Sequence, residues 1–454
     1  MKLFINNGLI VDPSRETPFL ANLVIENGMI TGIVPAEQNP ATYQSKTEKE
    51  QGDPIADKHA IETKGRADTH TINAMGNWVV PGLIDLHVHF REPGFEYKED
   101  ILSGCRSAAA GGFTTVCCMP NTKPVIDSPE VVRFIGKKAR SGNGVDVLCV
   151  GAITKGQEGT ELADYVGMLA ADRDGMLAAN DKGMTNAEGD ECDSPLLERG
   201  ICGISEDGKT VASQSVMLEA MRKAKKLGLT VFSHAEPEAE IVRRDLALAA
   251  ETGCRLHFCH ISEKESVDLI RKAKKDGIKV SAETAPHYFS LTREDVQEDP
   301  NKKMNPPLGS KADMAAVIEA LKDGTIDAIA TDHAPHHSSE KSVPYDLAPN
   351  GVVGLETSFA ISYTNLVHTG ILTPAELISK MSLNPAVILG IDRGLIEIGK
   401  AADLAIIDVD SVYEIGTEPF HSKSSNSPFL GKRVFGRVRY AIKGGTVMQF
   451  PYEN

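Results

Sequence analysis

A repeated unit, one short apolar run followed by a stretch of helical periodicity, fills the chain between residues 80 and 335. Each run is rich in β-branched residues and ends at a turn, as a buried strand does. Strands that alternate with helices form parallel sheets, and eight of them close into a barrel. The eight runs are GLIDLHVHF (82–90), TTVCCMP (114–120), DVLCVGAI (146–153), GICGISED (200–207), TVFSHAE (230–236), RLHFCHIS (255–262), KVSAETA (279–285) and DAIATDHA (327–334). The fold class predicted is therefore α/β, with a (β/α)8 TIM-type barrel over residues 76–394.

Both ends of the chain carry short segments in which apolar and polar residues alternate, as in half-buried antiparallel strands. Such segments occupy residues 2–34, and ADLAIIDVD and RVRYAIKGGTVMQF repeat the pattern near the C-terminus. We therefore expect one small composite β domain, built from residues 1–75 and 395–454. A polar stretch at about 35–72 predicts a solvated loop inserted in its N-terminal part.

Length and charge limit the number of domains and the kinds of partner. A chain of 454 residues accommodates one barrel, which takes roughly 250 residues, and a smaller companion domain. Its 48 Lys and Arg against 63 Asp and Glu give a net charge of −15, which argues against binding to nucleic acid or to an anionic membrane. No signal peptide or transmembrane span is recognisable, so we expect a cytoplasmic protein whose eight cysteines stay reduced.

Six residues that can bind a metal ion follow the predicted strands, at the end where barrels of this kind carry their active sites. His87 and His89 are separated by one residue and therefore point to the same side of a strand. The other four are Asp207 after the fourth run, His234 after the fifth, His260 after the sixth and Asp332 after the eighth. A single histidine at a strand end is more often structural, but six such residues in register favour a metal centre. Four imidazoles and two carboxylates suit zinc better than calcium or magnesium.

The remaining histidines receive lesser roles. His257 precedes His260 by three residues and faces the opposite side of the strand, which predicts a packing role or a supporting role behind the site. Four histidines without strand context are expected at the surface, namely His59, His70, His368 and His421.

A set of motifs then points to a family. HVHFREPG, MPNT, SEDGK, HFCHIS, NPPL, TDHAPH and GLET, in this order, resemble the bacterial type of dihydroorotase in the amidohydrolase superfamily. The resemblance covers nearly the whole chain except the insertion at 35–72. It implies that zinc, one or two ions per subunit, is bound by the HxH pair and three further residues, namely His87, His89, His234, His260 and Asp332.

The fourth strand raises a question about the residue that bridges two metal ions. Many members of the superfamily use a carboxylated lysine there, but GICGISEDG has no lysine within the strand. The resemblance implies Asp207 instead. The family pattern is closer to SDDG, so Glu206 is a departure that leaves open which carboxylate reaches the metal. If a modified lysine served after all, Lys209 would be the first candidate.

The resemblance also implies an activity, the reversible hydrolysis of (S)-dihydroorotate to N-carbamoyl-L-aspartate in pyrimidine biosynthesis. Zinc would activate water, and Asp332 would carry the proton to the ring nitrogen. Arg91, two residues after His89, suits the substrate carboxylate because a planar guanidinium matches that group. By resemblance Asn121 and His336 also hold the carboxylate, and Asn305 contacts the ring amide.

Two further positions and several alternatives remain open. His337 carries no predicted role, and Gly309 stands where the family usually has arginine after NPPL. Allantoinase and hydantoinase share the barrel, the metals and the cyclic amide chemistry, whereas a catalytically inactive scaffold for aspartate transcarbamoylase would tend to lose the metal ligands. The resemblance further implies a small-molecule substrate and a homo-oligomer, alone or together with aspartate transcarbamoylase.

Overall fold

The computed structural model describes residues 1–36, 69–142, 144–171, 200–416 and 418–448. Strands from both chain ends form one sheet, in the order β16-β15-β14-β5-β1-β2-β3, with β4 also paired to β1. Its strands are β1 (Lys2–Ile10), β2 (Phe19–Glu26), β3 (Met29–Pro35), β4 (Thr69–Asn73), β5 (Trp78–Pro81), β14 (Leu404–Glu414), β15 (Arg433–Lys443) and β16 (Thr446–Val447). The predicted sheet from the two ends is therefore present.

Part of the predicted insertion is strand and not loop. Residues 69–72 belong to β4, which pairs in parallel with β1 from Lys2↔Thr69 to Asn6↔Asn73. Residues 37–68 of the insertion, which include His59, lie outside the described residues. The domain boundaries at 75/76 and 394/395 stay predictions. β5 lies just beyond the first of them and pairs with β1 and β14 in the terminal sheet.

The eight predicted strands between 80 and 335 form a second sheet, all parallel and in sequence order. They are β6 (Leu83–Val88), β7 (Phe113–Cys118), β8 (Asp146–Ala152), β9 (Ile201–Ser205), β10 (Thr230–Ser233), β11 (Arg255–Phe258), β12 (Val280–Thr284) and β13 (Ala328–Ile329). The segment that follows β13 meets the first strand through a parallel bridge between Val88 and His333, where His89 N donates to His333 O at 2.8 Å. The sheet thus comes close to full closure, as a (β/α)8 barrel requires.

Helices follow the barrel strands. They are α1 (Ile101–Ala110), α2 (Pro129–Arg140), α3 (Tyr165–Leu169), α4 (Gln214–Lys226), α5 (Glu238–Thr252), α6 (Lys264–Lys275), α7 (Lys311–Asp323), α8 (Ser338–Lys341), α9 (Ser358–Ser362), α10 (Pro374–Ile378) and α11 (Asn384–Leu389). Short 3-10 turns occur at Lys155–Gln157, Arg293–Asp295, Pro300–Lys302 and Tyr345–Leu347, and π-helical turns at Tyr363–Val367 and Ser379–Leu383. In the parts of the chain that are described, no helix is long and apolar enough to cross a membrane.

Local sequence explains where these helices begin and end, as α7 illustrates. Ser310 accepts a hydrogen bond from Asp313 N through its hydroxyl, while the Asp313 carboxylate accepts one from Ser310 N at 2.8 Å. This reciprocal pair satisfies backbone donors that have no partner inside the helix. Gly324 ends the helix at φ 79, a conformation that glycine adopts without a side-chain clash.

Candidate metal centre

The six residues predicted as ligands come together at the carboxyl end of the barrel. His87 Nε2 lies 3.2 Å from Asp207 Oδ1, and His89 Nε2 lies 3.1 Å from Asp332 Oδ1. On the other side of Asp207, His234 Nδ1 is 3.4 Å from Oδ1 and 3.0 Å from the Nε2 atom of His260. Each of the six side chains stands at the end of a barrel strand or within three residues of it.

Asp207 occupies the centre of this cluster. Its Oδ1 faces His87, His234 and His260, and its Oδ2 lies 3.4 Å from His89 Nε2. Asp207 belongs to two groups of side chains whose ligand atoms lie within 4.8 Å of one another. One group pairs it with His87 and His89, and the other with His234 and His260. The geometry therefore suits a carboxylate that is shared between two metal-binding groups.

Two unsatisfied atoms support a cation at this position. His87 Nε2 and Asp207 Oδ1 are buried, yet neither has a partner with hydrogen-bond geometry. Buried polar atoms are nearly always satisfied in folded proteins, so such a pair needs an explanation. A cation coordinated by both atoms supplies one, and a nitrogen and oxygen ligand set fits zinc.

Three residues around the centre have backbone torsions that side chains other than glycine rarely adopt. φ is 64° at Arg91, 37° at His260 and 48° at Asp332. A residue in the left-handed region costs of order 1–3 kcal/mol and persists only where surrounding structure holds it. Such residues cluster at functional sites, and these three of the nine non-glycine residues with positive φ in the described part of the chain belong to the predicted site.

The charges of the cluster keep its two carboxylates ionised. Burial acts to raise the pKa of Asp332, but the hydrogen bond with His89 and the charge of His87 outweigh it and hold that pKa below its ordinary value. Burial also acts to raise the pKa of Asp207, but the neighbouring histidines outweigh it and hold this pKa well below its usual range. Both aspartates are therefore anionic at neutral pH, as metal ligands must be.

The structure resolves which carboxylate of the SEDG motif faces the histidines. Glu206 Oε2 accepts a hydrogen bond from Thr154 N at 3.0 Å, and its other oxygen accepts one from the Thr154 hydroxyl. Asp207 alone of the two lies among the histidines. Lys209 Nζ donates to the carbonyl oxygen of Gln157 at 2.9 Å.

This arrangement predicts that no carbon dioxide is needed to assemble the centre. If Asp207 takes the place of a carboxylated lysine, activity regained after removal and return of metal should be the same with and without added bicarbonate. The measurement is the initial rate of metal-reconstituted protein in degassed buffer and in bicarbonate buffer. A strong bicarbonate requirement that disappears in Lys209→Arg would show that a modified lysine serves instead.

Each histidine of the HxH pair has a second partner behind it. His89 Nδ1 lies 2.8 Å from Asn121 Oδ1, and His87 Nδ1 lies 3.1 Å from Glu283 Oε1. His257, expected to pack or to support the site, lies 3.1 Å from the other oxygen of Glu283. Sequence reasoning overlooked Glu283, and the one signal it left is a charged residue inside the apolar run KVSAETA.

The residues predicted to bind a substrate carboxylate lie beside the metal-ligand cluster. Arg91 Nε donates to the Pro335 carbonyl oxygen at 3.2 Å, and Arg91 Nη2 is 3.4 Å from His336 Nε2. Burial and the charges of Arg91 and Lys98 lower the pKa of His336 to about 3, so its imidazole is neutral. Lys98 Nζ lies 3.3 Å from His336 Nδ1, a proximity that the sequence did not reveal.

A segment of the terminal sheet also reaches this region. Asn426, in the connection between β14 and β15, accepts a hydrogen bond from His336 N at 3.1 Å and donates one to Gly351 O at 3.0 Å. Ser422, in the same connection, donates to the buried carboxylate of Glu99. The chain end thus helps to position a predicted substrate-binding residue.

The remaining predicted positions are placed as follows. Asn305 Nδ2 lies 2.9 Å from Glu236 Oε2 and 3.4 Å from His234 Nε2, so it borders the cluster. A Cβ atom added at Gly309 would lie 2.8 Å from Asp313 Cβ, which explains why a larger residue there requires a local shift. His337 is exposed and accepts a hydrogen bond from Ser339 N at the start of α8.

Three of the histidines expected at the surface lie in the described residues. His368 is exposed, whereas His70 and His421 are partly buried. The His421 side chain is 28% exposed, and its Nδ1 lies 3.0 Å from Glu356 Oε2.

Comparison with known proteins identifies the family. The amidohydrolase family model matches residues 78–448. A dihydroorotase of Geobacter metallireducens is 42% identical, with 99% of each chain covered, and a dihydroorotase of Ruminiclostridium cellulolyticum is 38% identical, with 98% of each covered. Among solved structures, the L-hydantoinase (dihydropyrimidinase) of Arthrobacter aurescens has a TM-score of 0.78 at 23% identity, over 99% of this chain and 96% of that one. This last likeness shows the shared fold. The chain belongs to the amidohydrolase family and, within it, to the dihydroorotases, which are cyclic amidohydrolases.

Proposed function

We propose that this protein catalyses the reversible hydrolysis of (S)-dihydroorotate to N-carbamoyl-L-aspartate. The observation that carries the proposal is the centre of four histidines and two aspartates, flanked by Arg91 as the group for a substrate carboxylate. Relatives named dihydroorotase, at about 40% identity over the full length, support the choice of substrate. We also propose, from the resemblance to this family, a cytoplasmic homo-oligomer, alone or with aspartate transcarbamoylase.

The metal of the proposed site is zinc, held by His87, His89, Asp207, His234, His260 and Asp332, which lies beside the first two. Because Asp207 belongs to both ligand groups, the arrangement favours two ions over one. When bound, zinc acts as a Lewis acid that polarises a carbonyl and brings the pKa of a coordinated water to about 7.

Asp332 is the residue we assign to proton transfer. Its Oδ1 faces His87 and His89, which leaves Oδ2 to take a proton from the attacking water and to pass it to the departing ring nitrogen. Its lowered pKa keeps the carboxylate ionised at neutral pH, which is the form that can accept a proton. In ring closure the same residue would take the proton from the carbamoyl nitrogen and return it to the leaving water.

Substrate recognition is proposed to depend on a fixed cationic group and neutral amides. The guanidinium of Arg91 is oriented by its hydrogen bond to Pro335 O. Neutral His336 and the amide of Asn121 complete the carboxylate site, and Asn305 contacts the ring amide. Asn121 has a double role in this arrangement, because its carbonyl oxygen also accepts from His89.

The function is tested by comparing dihydroorotate, allantoin and hydantoin as substrates of the zinc-loaded protein. We expect turnover of dihydroorotate in both directions, and turnover of the other two lower by at least about 100-fold in kcat/KM, since each lacks the matched carboxylate (about 2.7 kcal/mol). Preference for allantoin or hydantoin would contradict the proposal. Absence of bound zinc together with absence of turnover of all three would instead favour the scaffold alternative.

Arg91 provides a sharper test of recognition. A bidentate, charge-assisted contact is worth roughly 1.5–3 kcal/mol, so Arg91→Lys should lower kcat/KM for dihydroorotate about tenfold or more, and Arg91→Ala further. Zinc content should stay unchanged, because a guanidinium has no lone pair for a metal. Steady-state kinetics and metal analysis of the three proteins measure both effects.

Hydantoin is the control for this experiment because its ring has no carboxylate. Slow hydantoin turnover should be nearly the same in Arg91→Ala as in the wild type. An equal loss for both substrates would mean that Arg91 maintains the architecture of the site and has no part in specificity.

A further inference from the structure

The two ring nitrogens of His87 face opposite surroundings. Nε2 points into the metal centre, 3.2 Å from Asp207 Oδ1 and 3.6 Å from Asp332 Oδ1. Nδ1 points away from it and lies 3.1 Å from Glu283 Oε1. His87 and Glu283 both have an exposed fraction of 0%, so bulk water does not compete for their contact.

Glu283 is held in turn by its neighbours on β11 and β12. Its second oxygen lies 3.1 Å from His257 Nε2, and His257 Nδ1 lies 2.8 Å from Ser281 Oγ. Ser281 and Glu283 are two residues apart on β12 and so point to the same face, while His257 is the register partner of Ser281. An ionised carboxylate is tolerated in a barrel core only when its oxygens are paired in this way.

The chemistry of a carboxylate determines which nitrogen of His87 carries the hydrogen. An ionised carboxylate only accepts hydrogen bonds, so Nδ1 of His87 is the donor toward Glu283. When the centre holds a metal ion, His87 binds it as a neutral imidazole, which presents the lone pair of Nε2 to the ion. Consistent with this form, Nε2 is buried without a hydrogen-bond partner.

We infer that Glu283 is a positioning residue that sets the tautomer and orientation of His87 and strengthens its bond to zinc. The inference rests on the metal site of the proposed function. Carboxylates behind metal-bound histidines raise the basicity of the ligand, and their loss typically weakens metal binding 10–100-fold. His257 and Ser281 hold the carboxylate in place.

A purely architectural role is the competing explanation, because Glu283 also connects β12 to β6 and β11. The variant Glu283→Gln distinguishes this architectural role from the proposed positioning role. The amide oxygen of glutamine can still accept from His87 Nδ1, and its N–H can donate to His257 Nε2 while Ser281 accepts from Nδ1 of that ring. The contacts are then kept while the negative charge is removed.

The experiment measures metal binding by the full-length protein in the absence of substrate. Competition between protein and a chelator for Zn²⁺ should give an affinity about 10–100-fold weaker in Glu283→Gln than in the wild type. The absorption spectrum of the Co²⁺-substituted protein should also shift, because it reports the ligand field at His87.

Glu356→Gln is the matched control. Its side chain is 6% exposed and pairs with His421 Nδ1 at 3.0 Å, so it is also a buried carboxylate with a histidine partner, but outside the metal centre. Its Zn²⁺ affinity and Co²⁺ spectrum should equal those of the wild type. Unchanged affinity in Glu283→Gln, or an equal loss in both variants, would overturn the inference.

A second variant covers the case in which Glu283→Gln does not fold. Glu283→Asp keeps the negative charge but moves it away from His87 by the length of one methylene. We therefore expect a smaller loss of Zn²⁺ affinity than in Glu283→Gln. An unchanged affinity of the folded variant would refute the inference. Because no substrate is present, the outcome is independent of the proposed activity. A wild-type protein that binds zinc tightly without converting dihydroorotate would refute that activity and leave the role of Glu283 standing.

Discussion

Replacing His87 and His89 together by alanine is expected to remove bound zinc and to lower dihydroorotate turnover by about 10⁴-fold or more, because the protein loses its means of ionising water near neutral pH. The two side chains are half of the proposed imidazole ligands and face both aspartates of the centre. Metal analysis by mass spectrometry and initial rates in both directions measure the two losses.

We expect the variant to fold with lower stability, since both side chains are buried and their removal leaves a cavity at the carboxyl end of the barrel. Circular dichroism and gel filtration check this point. His70→Ala with His368→Ala removes two histidines outside the centre and should retain zinc and turnover. Zinc and activity retained by the His87 and His89 variant would refute the assignment of the metal ligands.

Asp332→Asn is expected to lower kcat by about 10²–10⁴-fold, the usual contribution of a general acid or base. Asparagine has the shape of aspartate and an oxygen that can still face the metal, but it does not take up a proton near neutral pH. Loss of kcat with most of the zinc retained would therefore indicate proton transfer. The kinetic assay measures both hydrolysis and ring closure, because Asp332 is assigned to proton transfer in both directions.

Asp12→Asn is a suitable control, since Asp12 is a buried aspartate in the terminal sheet region, where its carboxylate accepts from Ile396 N and Ser14 N. It should change stability and leave kcat unaltered. A kcat for Asp332→Asn within tenfold of the wild type would refute the assigned proton transfer. Loss of zinc in parallel with kcat would indicate that Asp332 acts chiefly as a ligand.

Much of the barrel could be predicted because its signal is local. Each strand repeats with period two and each helix with period 3.6, so the run at 82–90 indicates β6 without knowledge of any other segment. The same period places His87 and His89 on one side of a strand. Strand limits were less predictable. The run at 327–334 contains a strand of two residues, Ala328–Ile329, since the chain turns to φ 48° at Asp332.

Side-chain partners that come from distant parts of the chain could not be read from such periods. Glu283 is 196 residues from His87, and Asn426 is 90 residues from His336. Nor did the order SEDG reveal that Glu206 turns to Thr154 while Asp207 turns to the histidines. These choices depend on the distances between strands after the barrel has closed.

The sequence by itself therefore determined the fold class, the family and the six side chains of the candidate centre, since strand period, motif order and residue type are properties of short segments. Only the tertiary structure decided which atoms of those side chains face one another and which residues stand behind them. The physical reason is that a hydrogen bond is defined within tenths of an ångström, whereas a sequence period specifies no more than the face on which a side chain lies.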